Sequence, residues 1–208
     1  MSIRRICCLL ALLLLPAFLG AQPDDLLMRV WSGVQQAQGK FTTGCGTVIE
    51  TRTSKLMVKP MVLHGKFCAE GMTRFSLEYA APYAMRIRFN TDYLNVTSDE
   101  NTQVLEIGSG VRRAQNAFSR GNSIEGLKKD FTISVQENPR EYEMRFVPRT
   151  VAFRRRVNYL VVKLDKHSFL PRSLEVDGKS GVNSVFLVDF TTLNAKLPAD
   201  TFEVNKPK

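Results

Sequence analysis

Residues 74–89, with the sequence RFSLEYAAPYAMRIRF, alternate between apolar and polar side chains. The apolar side chains occupy odd positions: Phe75, Leu77, Tyr79, Tyr83, Met85, Ile87 and Phe89. Strict alternation is typical of β-strands with one buried and one solvated face. Pro82 marks a turn near the middle of the segment. The pattern therefore predicts two strands and raises the question of what their apolar face covers.

The same period of two continues along most of the chain from Lys40 onward. Strands are predicted at 41–52, 55–68, 73–80, 84–90, 93–97, 103–107, 130–136, 141–147, 157–164, 170–176, 184–192 and 201–205. Turn-forming pairs such as Lys59-Pro60 and Asp177-Gly178 separate many of them. So many strands in succession, without long helices between them, indicate an antiparallel sheet.

Two segments depart from this alternation and predict helices. Residues 25–38 place Leu27, Val30 and Trp31 on one helical stripe behind an acidic N-terminal residue, which predicts an amphipathic helix. Residues 109–129 repeat apolar side chains at roughly helical spacing, interrupted by Gly121, and predict two short helices. A wide sheet curls because its strands twist, and its inner face must be covered. Because short helices cannot fill that face as tightly as a second sheet would, we expect a hollow.

The first 21 residues have the organisation of a secretory signal peptide. Residues 1–5 are basic, residues 6–15 are continuously apolar, and Ala21 ends a segment of small residues suited to cleavage. The apolar run is too short to span a bilayer comfortably. We therefore expect residues 1–21 to be removed and residues 22–208 to form a single exported domain.

The chain is basic, with a formal net charge of +9, to which the signal peptide contributes two arginines. Such a surface favours acidic lipid headgroups or an acidic partner, and it also keeps a protein in solution. The most basic stretch is 154–156, three consecutive arginines before a predicted strand. It is interpreted either as a solvated strand edge guarded by charge or as a docking patch for an anionic membrane or membrane-protein partner.

Cys45 and Cys68 remain after removal of the signal peptide, and they fall on neighbouring predicted strands. In an exported protein they can form a disulfide, or they can be two small buried side chains. Cys45 lies between two glycines, but nothing in the sequence places His64 or His167 beside it as a base. Metal-ligand spacings of the Cys-x-x-Cys kind do not occur. We therefore expect neither an enzyme nor a metal site.

Two longer blocks contain strand and turn motifs in a characteristic order. The first is HGKFCAEGMTRFSLEYAAPY at 64–83, a Gly-Lys-Phe strand followed by Arg-Phe-x-x-x-Tyr and a proline. The second is LPRSLEVDGKSGVNSVFLVDFTTLNAKLPADTFEV at 170–204, which includes Asn194, Leu197 and Phe202. In the order and spacing of these motifs the chain resembles the LolA-like family of outer-membrane lipoprotein carriers. Departures also occur: Gly71 and Met72 stand where members often carry an Arg-Pro pair that helps to hold a lid shut.

This resemblance implies a mostly β (α+β) half-barrel, in which a strongly curved antiparallel sheet of about eleven strands is covered by the N-terminal helix and the mid-chain helical insertion. It implies a periplasmic carrier without cofactors that binds lipoprotein acyl chains in a hydrophobic cavity. Its expected partners are an inner-membrane release complex and an outer-membrane acceptor, and we expect a monomer without a nucleic-acid partner. The alternatives are a carrier of another lipid or glycolipid and a lipoprotein-sensing regulator with the same fold.

We expect large apolar side chains of the strands and of the first helix to line the cavity. The candidates are Trp31, Phe75, Leu77, Tyr79, Met85, Ile87, Phe89, Met144 and Phe146. Methionines suit a pocket that must release its cargo, because thioether side chains repack easily, although each of them could equally be an ordinary core residue.

Overall fold

The computed structural model describes residues 23–71, 73–98, 101–107 and 123–204. The helices are α1 (Pro23–Lys40), α2 (Ile124–Asp130), α3 (Val151–Arg154) and a 3₁₀ helix (Ala199–Phe202). The strands are β1 (Thr43–Ser54), β2 (Met61–Glu70), β3 (Arg74–Tyr79), β4 (Met85–Phe89), β5 (Tyr93–Ser98), β6 (Asn101–Glu106), β7 (Phe131–Glu137), β8 (Glu141–Pro148), β9 (Val157–Asp165), β10 (Pro171–Gly178) and β11 (Val182–Leu193).

All eleven strands form one antiparallel sheet in the order β6-β5-β4-β3-β2-β1-β11-β10-β9-β8-β7. The sheet is curved but not closed, because β6 and β7 remain its two edges. The pairing of β1 with β11 joins the two halves of the chain at the centre of the sheet. The predicted fold class, a curved antiparallel sheet with helices from the N-terminus and the middle of the chain, is therefore confirmed.

Three predicted elements differ from the structure or lie outside it. The strand predicted at 201–205 is wrong: this segment follows β11, both of whose edges are already paired, and it turns into a 3₁₀ helix after Pro198 instead. Residues 55–60, placed at the start of a strand, form the β1–β2 loop. Of the two helices predicted within 109–129, the second corresponds to α2, and the first lies outside the described residues.

One face of the sheet, here called the inner face, is continuous across the strands. Residues directly opposite each other in an antiparallel pair lie on the same face. The connected positions are Met144, Val162, Leu174, Phe186, Glu50 and Leu63, in successive strands from β8 to β2. Further pairs extend this face through Leu77 of β3 and Ile87 of β4. The sheet therefore has one continuous inner face, and α1 packs against part of it.

The apolar side chains of the inner face form two separate clusters. In the helix-covered cluster, Leu27, Val30 and Trp31 of α1 pack against β7–β9 and α2. The buried strand and α2 members of this cluster are Ile124, Leu127, Phe131, Tyr142, Met144, Phe146 and Leu164. The aromatic cluster lies on the other half of the inner face. Its buried members are Val48, Leu63, Phe67, Leu77 and Tyr79, and Met61, Phe75, Met85, Ile87, Phe186, Val188 and Phe190 pack against them while partly exposed.

The outer face carries two long-range contacts that fix the ends of the fold. Cys45 and Cys68 lie opposite each other on β1 and β2 with Cα atoms 4.1 Å apart, and their sulfurs are bonded. The C-terminal 3₁₀ helix packs against β3, where the Arg74 guanidinium lies 5.0 Å from the centre of the Phe202 ring. Phe202 is thereby buried, which places the end of the described chain on the outer face.

Candidate ligand-binding face

The rings and aliphatic side chains of the aromatic cluster form one continuous layer on the inner face. The ring centres of Phe67 and Phe190 are 5.1 Å apart in an edge-on arrangement, and Phe75 stacks on Phe89 at 5.5 Å. Phe67 and Phe75 are 6.2 Å apart, so the rings continue from β11 across β2 to β4. Aromatic pairs at these separations attract beyond the area that they bury. The result is a broad apolar surface on one half of the inner face.

The nine predicted cavity residues divide between the two clusters. The six from β3 and β4 come together in or beside the aromatic cluster: Phe75, Leu77, Tyr79, Met85, Ile87 and Phe89. Trp31, Met144 and Phe146 belong to the helix-covered cluster, where they are 5%, 2% and 2% exposed. The structure therefore groups the predicted residues as two sets, one under α1 and one on the opposite half of the inner face.

The helices described here cover only one of these halves. The main contacts of α1 and α2 with the sheet are made with β7, and those of α3 are made with β8 and β9. The 3₁₀ helix contacts β3 from the outer face. Within the described ranges, the inner face from β11 to β4 therefore has no helix as its principal neighbour, which leaves Ile87, Phe186 and Val188 partly exposed.

A charged group lies in the middle of this apolar surface. Glu50 points to the inner face of β1 and is only 1% exposed. The Arg52 guanidinium donates two hydrogen bonds to its carboxylate, from Nε at 2.5 Å and from Nη2 at 2.9 Å. The hydroxyl of Tyr79 on β3 donates a further short hydrogen bond to the same carboxylate. The burial of Glu50 is tolerated because its carboxylate is both paired and hydrogen-bonded.

Gly65 makes the contact between Tyr79 and Glu50 possible. Tyr79 pairs with Gly65 of β2, and the carboxylate that it reaches belongs to β1, two strands away. A Cβ at position 65 would lie 3.0 Å from Tyr79 Cδ1 and 2.8 Å from the Glu78 carbonyl oxygen. The missing side chain therefore leaves room for the tyrosine ring to lie across β2, and the hydrogen bond ties β3 to β1 over the inner face.

The protonation states of this cluster follow from its contacts. Burial by itself would raise the pKa of Glu50, but hydrogen bonds from Arg52, Tyr79 and Ser184 and the charge of Arg52 hold that pKa below its usual value. Burial and the hydrogen bond to Glu50 raise the pKa of the Tyr79 hydroxyl. Glu50 is therefore ionised and Tyr79 is neutral at neutral pH, which fixes the tyrosine as the donor.

The sequence analysis singled out Tyr79 but not its partners Glu50 and Arg52. A signal was present, because Glu50 has the same parity as Val48, which the alternation places on the buried face. A carboxylate at such a position requires a partner, and Arg52 follows on the same face. The apolar members contributed by β1, β2 and β11, such as Val48, Leu63 and Phe186, were also not named as site residues.

Neither a group of metal ligands nor a membrane-spanning helix is found in residues 23–71, 73–98, 101–107 and 123–204. No three His, Cys, Asp or Glu side chains in that part of the chain are close enough to hold a metal ion. No helix there is long and apolar enough to cross a membrane. The sulfur of Cys45 is committed to its bond with Cys68, so it is not a free nucleophile in this structure.

No protein-family model matches the chain, and no curated protein matches its sequence. Solved structures match most of it. An uncharacterized conserved protein from Thermus thermophilus has a TM-score of 0.51 at 10% identity, over 86% of this chain and 94% of that one. A LolA superfamily protein from Nitrosomonas europaea has a TM-score of 0.44 at 11% identity, over 85% and 97%. The lipoprotein LppX of Mycobacterium tuberculosis has a TM-score of 0.46 at 10% identity, over 85% and 100%.

The chain therefore has the architecture of a curved, open antiparallel sheet with helices on its inner face. The Thermus thermophilus protein shares this fold, and the architecture is consistent with the LolA-like fold that the sequence resemblance implied. Identities this low say nothing about the ligand, so the function must be argued from the inner face itself.

Proposed function

We propose that the aromatic cluster binds the acyl chains of lipoproteins, and that the protein is a periplasmic carrier that transfers them from the inner to the outer membrane. The observation that carries this proposal is the broad apolar half of the inner face whose principal neighbours do not include the helices described here. Monomeric soluble proteins rarely leave such a surface without a binding role. The signal peptide predicted at 1–21 supports export to the periplasm.

The free energy gained by burying an acyl chain on this surface suits a carrier. Burying one methylene is worth about 0.8 kcal/mol, so an acyl chain with about eight methylenes buried gains roughly 6 kcal/mol. That gain is enough to hold a chain outside a membrane, yet small enough to be offset when the chain enters another bilayer. The cluster includes Met61 and Met85, whose flexible side chains can repack around different chains. No covalent step is required of the protein.

The proposed contact surface differs from the set of nine residues expected from the sequence, because it leaves out five of them and adds residues of other strands. It consists of the aromatic-cluster residues that keep part of their surface exposed: Met61, Phe75, Met85, Ile87, Phe186, Val188 and Phe190, with Phe89 beside them. Leu77 and Tyr79 lie beneath them, 6% and 3% exposed. We assign Trp31, Met144 and Phe146 to the stability of the helix-covered half.

The first experiment identifies the cargo. The protein is purified from its native host without detergent, and the bound material is analysed by mass spectrometry. We expect co-purifying triacylated or diacylated lipoproteins. Recovery of a phospholipid or glycolipid alone would redirect the proposal to another lipid carrier, and repeated recovery without any acyl-bearing ligand would refute it. Depletion of the protein, followed by membrane fractionation, should leave lipoproteins in the inner membrane.

Adjacent residues of β11 provide a matched test of the binding face. Val188 lies opposite Val48 in the aromatic cluster, whereas Leu187 points to the outer face and is 52% exposed. We expect V188E to reduce acyl-chain uptake by at least about tenfold, because a charge would lose its hydration against the ligand. L187E should leave uptake unchanged. Equal uptake by the two folded variants would show that the inner face does not bind the ligand.

A further inference from the structure

Four loops of the described ranges lie at one end of the sheet. The register places the end of β1 beside the start of β11, and the end of β10 beside the start of β9. The β3–β4 and β8–β9 connections lie at the same end. A hydrogen bond of 2.9 Å from the Lys179 amide to the Arg156 carbonyl joins two of these loops. We call this end the basic rim, defined as residues 55–60, 80–84, 149–156 and 179–181.

Cations dominate the basic rim. Its seven basic residues are Lys55, Lys59, Arg149, Arg154, Arg155, Arg156 and Lys179. Each is exposed, and none of them forms an ion pair within the described ranges. Lys128 and Lys129 adjoin the rim through α2, since Arg149 donates a 3.2 Å hydrogen bond to the Lys128 carbonyl. The described acidic residues near this end are Asp130 and Asp177, both partly buried, and the exposed Glu78, which is paired with Arg86; Glu125 is paired with Lys128. The rim therefore carries a strong positive potential.

The same rim also exposes large apolar side chains. Leu56 is 96% exposed and Val58 is 105% exposed, and both lie in the six-residue β1–β2 loop. Tyr83 and Val151, in two other rim loops, are 51% and 53% exposed. A single exposed aliphatic side chain needs no explanation. Leu56 and Val58, however, are both fully solvated at the tip of one loop, and each is next to a lysine. Together they form a protruding apolar point within a cationic surface.

We propose that the basic rim docks on a bilayer surface containing anionic phospholipid. Leu56 and Val58 enter the interface between headgroups and acyl chains, while Lys55, Lys59 and the arginines of 154–156 contact lipid phosphates. The occupant is a bilayer because the apolar groups are isolated protruding points, which a lipid interface accepts without a complementary pocket. The cations, spread over several loops, match a laterally continuous negative surface. Of the two interpretations of 154–156, the proposal adopts docking.

This inference is separate from acyl-chain binding and does not depend on it. If both hold, docking brings the bilayer to the end of the inner face at which Tyr79 and Met85 lie, because β3 ends and β4 begins at the rim. A chain could then pass between the bilayer and the aromatic cluster without crossing the whole sheet. Docking and uptake can therefore be measured on the same variants and can fail independently.

The test is flotation of the mature protein, residues 22–208, with vesicles of phosphatidylethanolamine, with or without phosphatidylglycerol. We expect binding only with phosphatidylglycerol, and we expect it to weaken as salt rises. Each basic residue near an anionic surface changes affinity about fivefold, so R154E/R155E/R156E should weaken binding at least about a hundredfold. L56S/V58S should weaken it about tenfold or more while preserving the fold, because both side chains are already solvated.

The controls match the variants in charge and in exposure. K40E/R140E/K196E reverses three exposed cations at the opposite end of the sheet. V62S/L187S removes two aliphatic side chains of the outer face, which are 47% and 52% exposed. Both controls should bind vesicles as the parent protein does. Binding that does not depend on phosphatidylglycerol, or that falls equally in controls and rim variants, would overturn the proposal. Loss of a protein partner with the rim variants, without vesicle binding by the parent, would assign the rim to an acidic protein instead.

Discussion

Replacement of Glu50 by glutamine tests whether the buried charged cluster stabilises the fold. The change keeps the shape of the side chain but removes its charge, and its amide group would face the guanidinium of Arg52. Hydrogen bonds to a charged group are worth about 1.5–3 kcal/mol each, and breaking a buried ion pair costs about 3–5 kcal/mol. The Arg52 side chain is 32% exposed and can be rehydrated, so the cost is lower. We expect E50Q to lower the free energy of unfolding by about 2–3 kcal/mol at pH 7.

Urea denaturation measures this loss. With a slope of about 2 kcal/mol per molar urea, the unfolding midpoint should fall by about 1 M. The hydrogen bonds and charge that lower the folded-state pKa of Glu50 stabilise the fold fully above the unfolded pKa, which is near 4.3 for a glutamate. That stabilisation is lost as the pH falls through the lower folded pKa. The difference between parent and E50Q should therefore be largest near neutral pH and shrink below about pH 4.

An exposed carboxylate serves as the control for this prediction. Glu70 forms an ion pair with Arg74 in which both side chains are 42% exposed. Such exposed pairs contribute at most about 1 kcal/mol, so E70Q should shift the midpoint little. The reasoning is refuted if E50Q unfolds within about 0.5 kcal/mol of the parent at pH 7. It is equally refuted if the loss stays constant through the acid range.

Three further changes test other contacts of the fold. Y79F removes the hydroxyl that reaches Glu50 and should cost about 1 kcal/mol by urea denaturation, whereas Y83F, at an exposed turn, should cost nothing measurable. Adding a methyl group in G33A would bring Cβ to 2.4 Å from the Phe169 ring, so it should lower the thermal midpoint by an amount equivalent to about 1–3 kcal/mol. Reduction of the disulfide, whose cysteines are 23 residues apart, should cost about 3 kcal/mol, and an unchanged midpoint in reductant would contradict its structural role.

Alternation predicted most of the sheet because strands such as β1, β7 and β8 contrast a buried face with a wetter one. In β8, for example, Tyr142, Met144 and Phe146 are buried while the residues between them are partly exposed. The same local rule fails at 201–205, where the pattern fits a strand but the neighbouring edge of β11 is already paired. Strand pairing is a property of the whole sheet, so periodicity alone cannot show whether an edge remains open.

The candidate site was predictable only in part, for a related reason. Parity identifies which residues share the inner face, but it does not show which part of that face a helix covers. Met144 and Met85 both lie at apolar positions of alternating strands. Only the packing of α1 places Met144 in the helix-covered cluster. The contact between Tyr79 and Glu50 depends on the curvature of the sheet and on the space at Gly65. Neither is visible in a local stretch of residues.

The division of the inner face separates stability from binding. The helix-covered cluster supplies a closed core for β7–β9, which leaves the aromatic cluster free to keep apolar side chains partly exposed. On that half, the hydrogen bond from Tyr79 to Glu50 links β3 to β1, which within the described ranges have no helix as a principal neighbour on the inner face. The charged cluster is buried on the inner face of β1, where Glu50 lies opposite Phe186 and Leu63. We therefore infer that E50Q loosens both the fold and the binding face, whereas V188E changes the binding face alone.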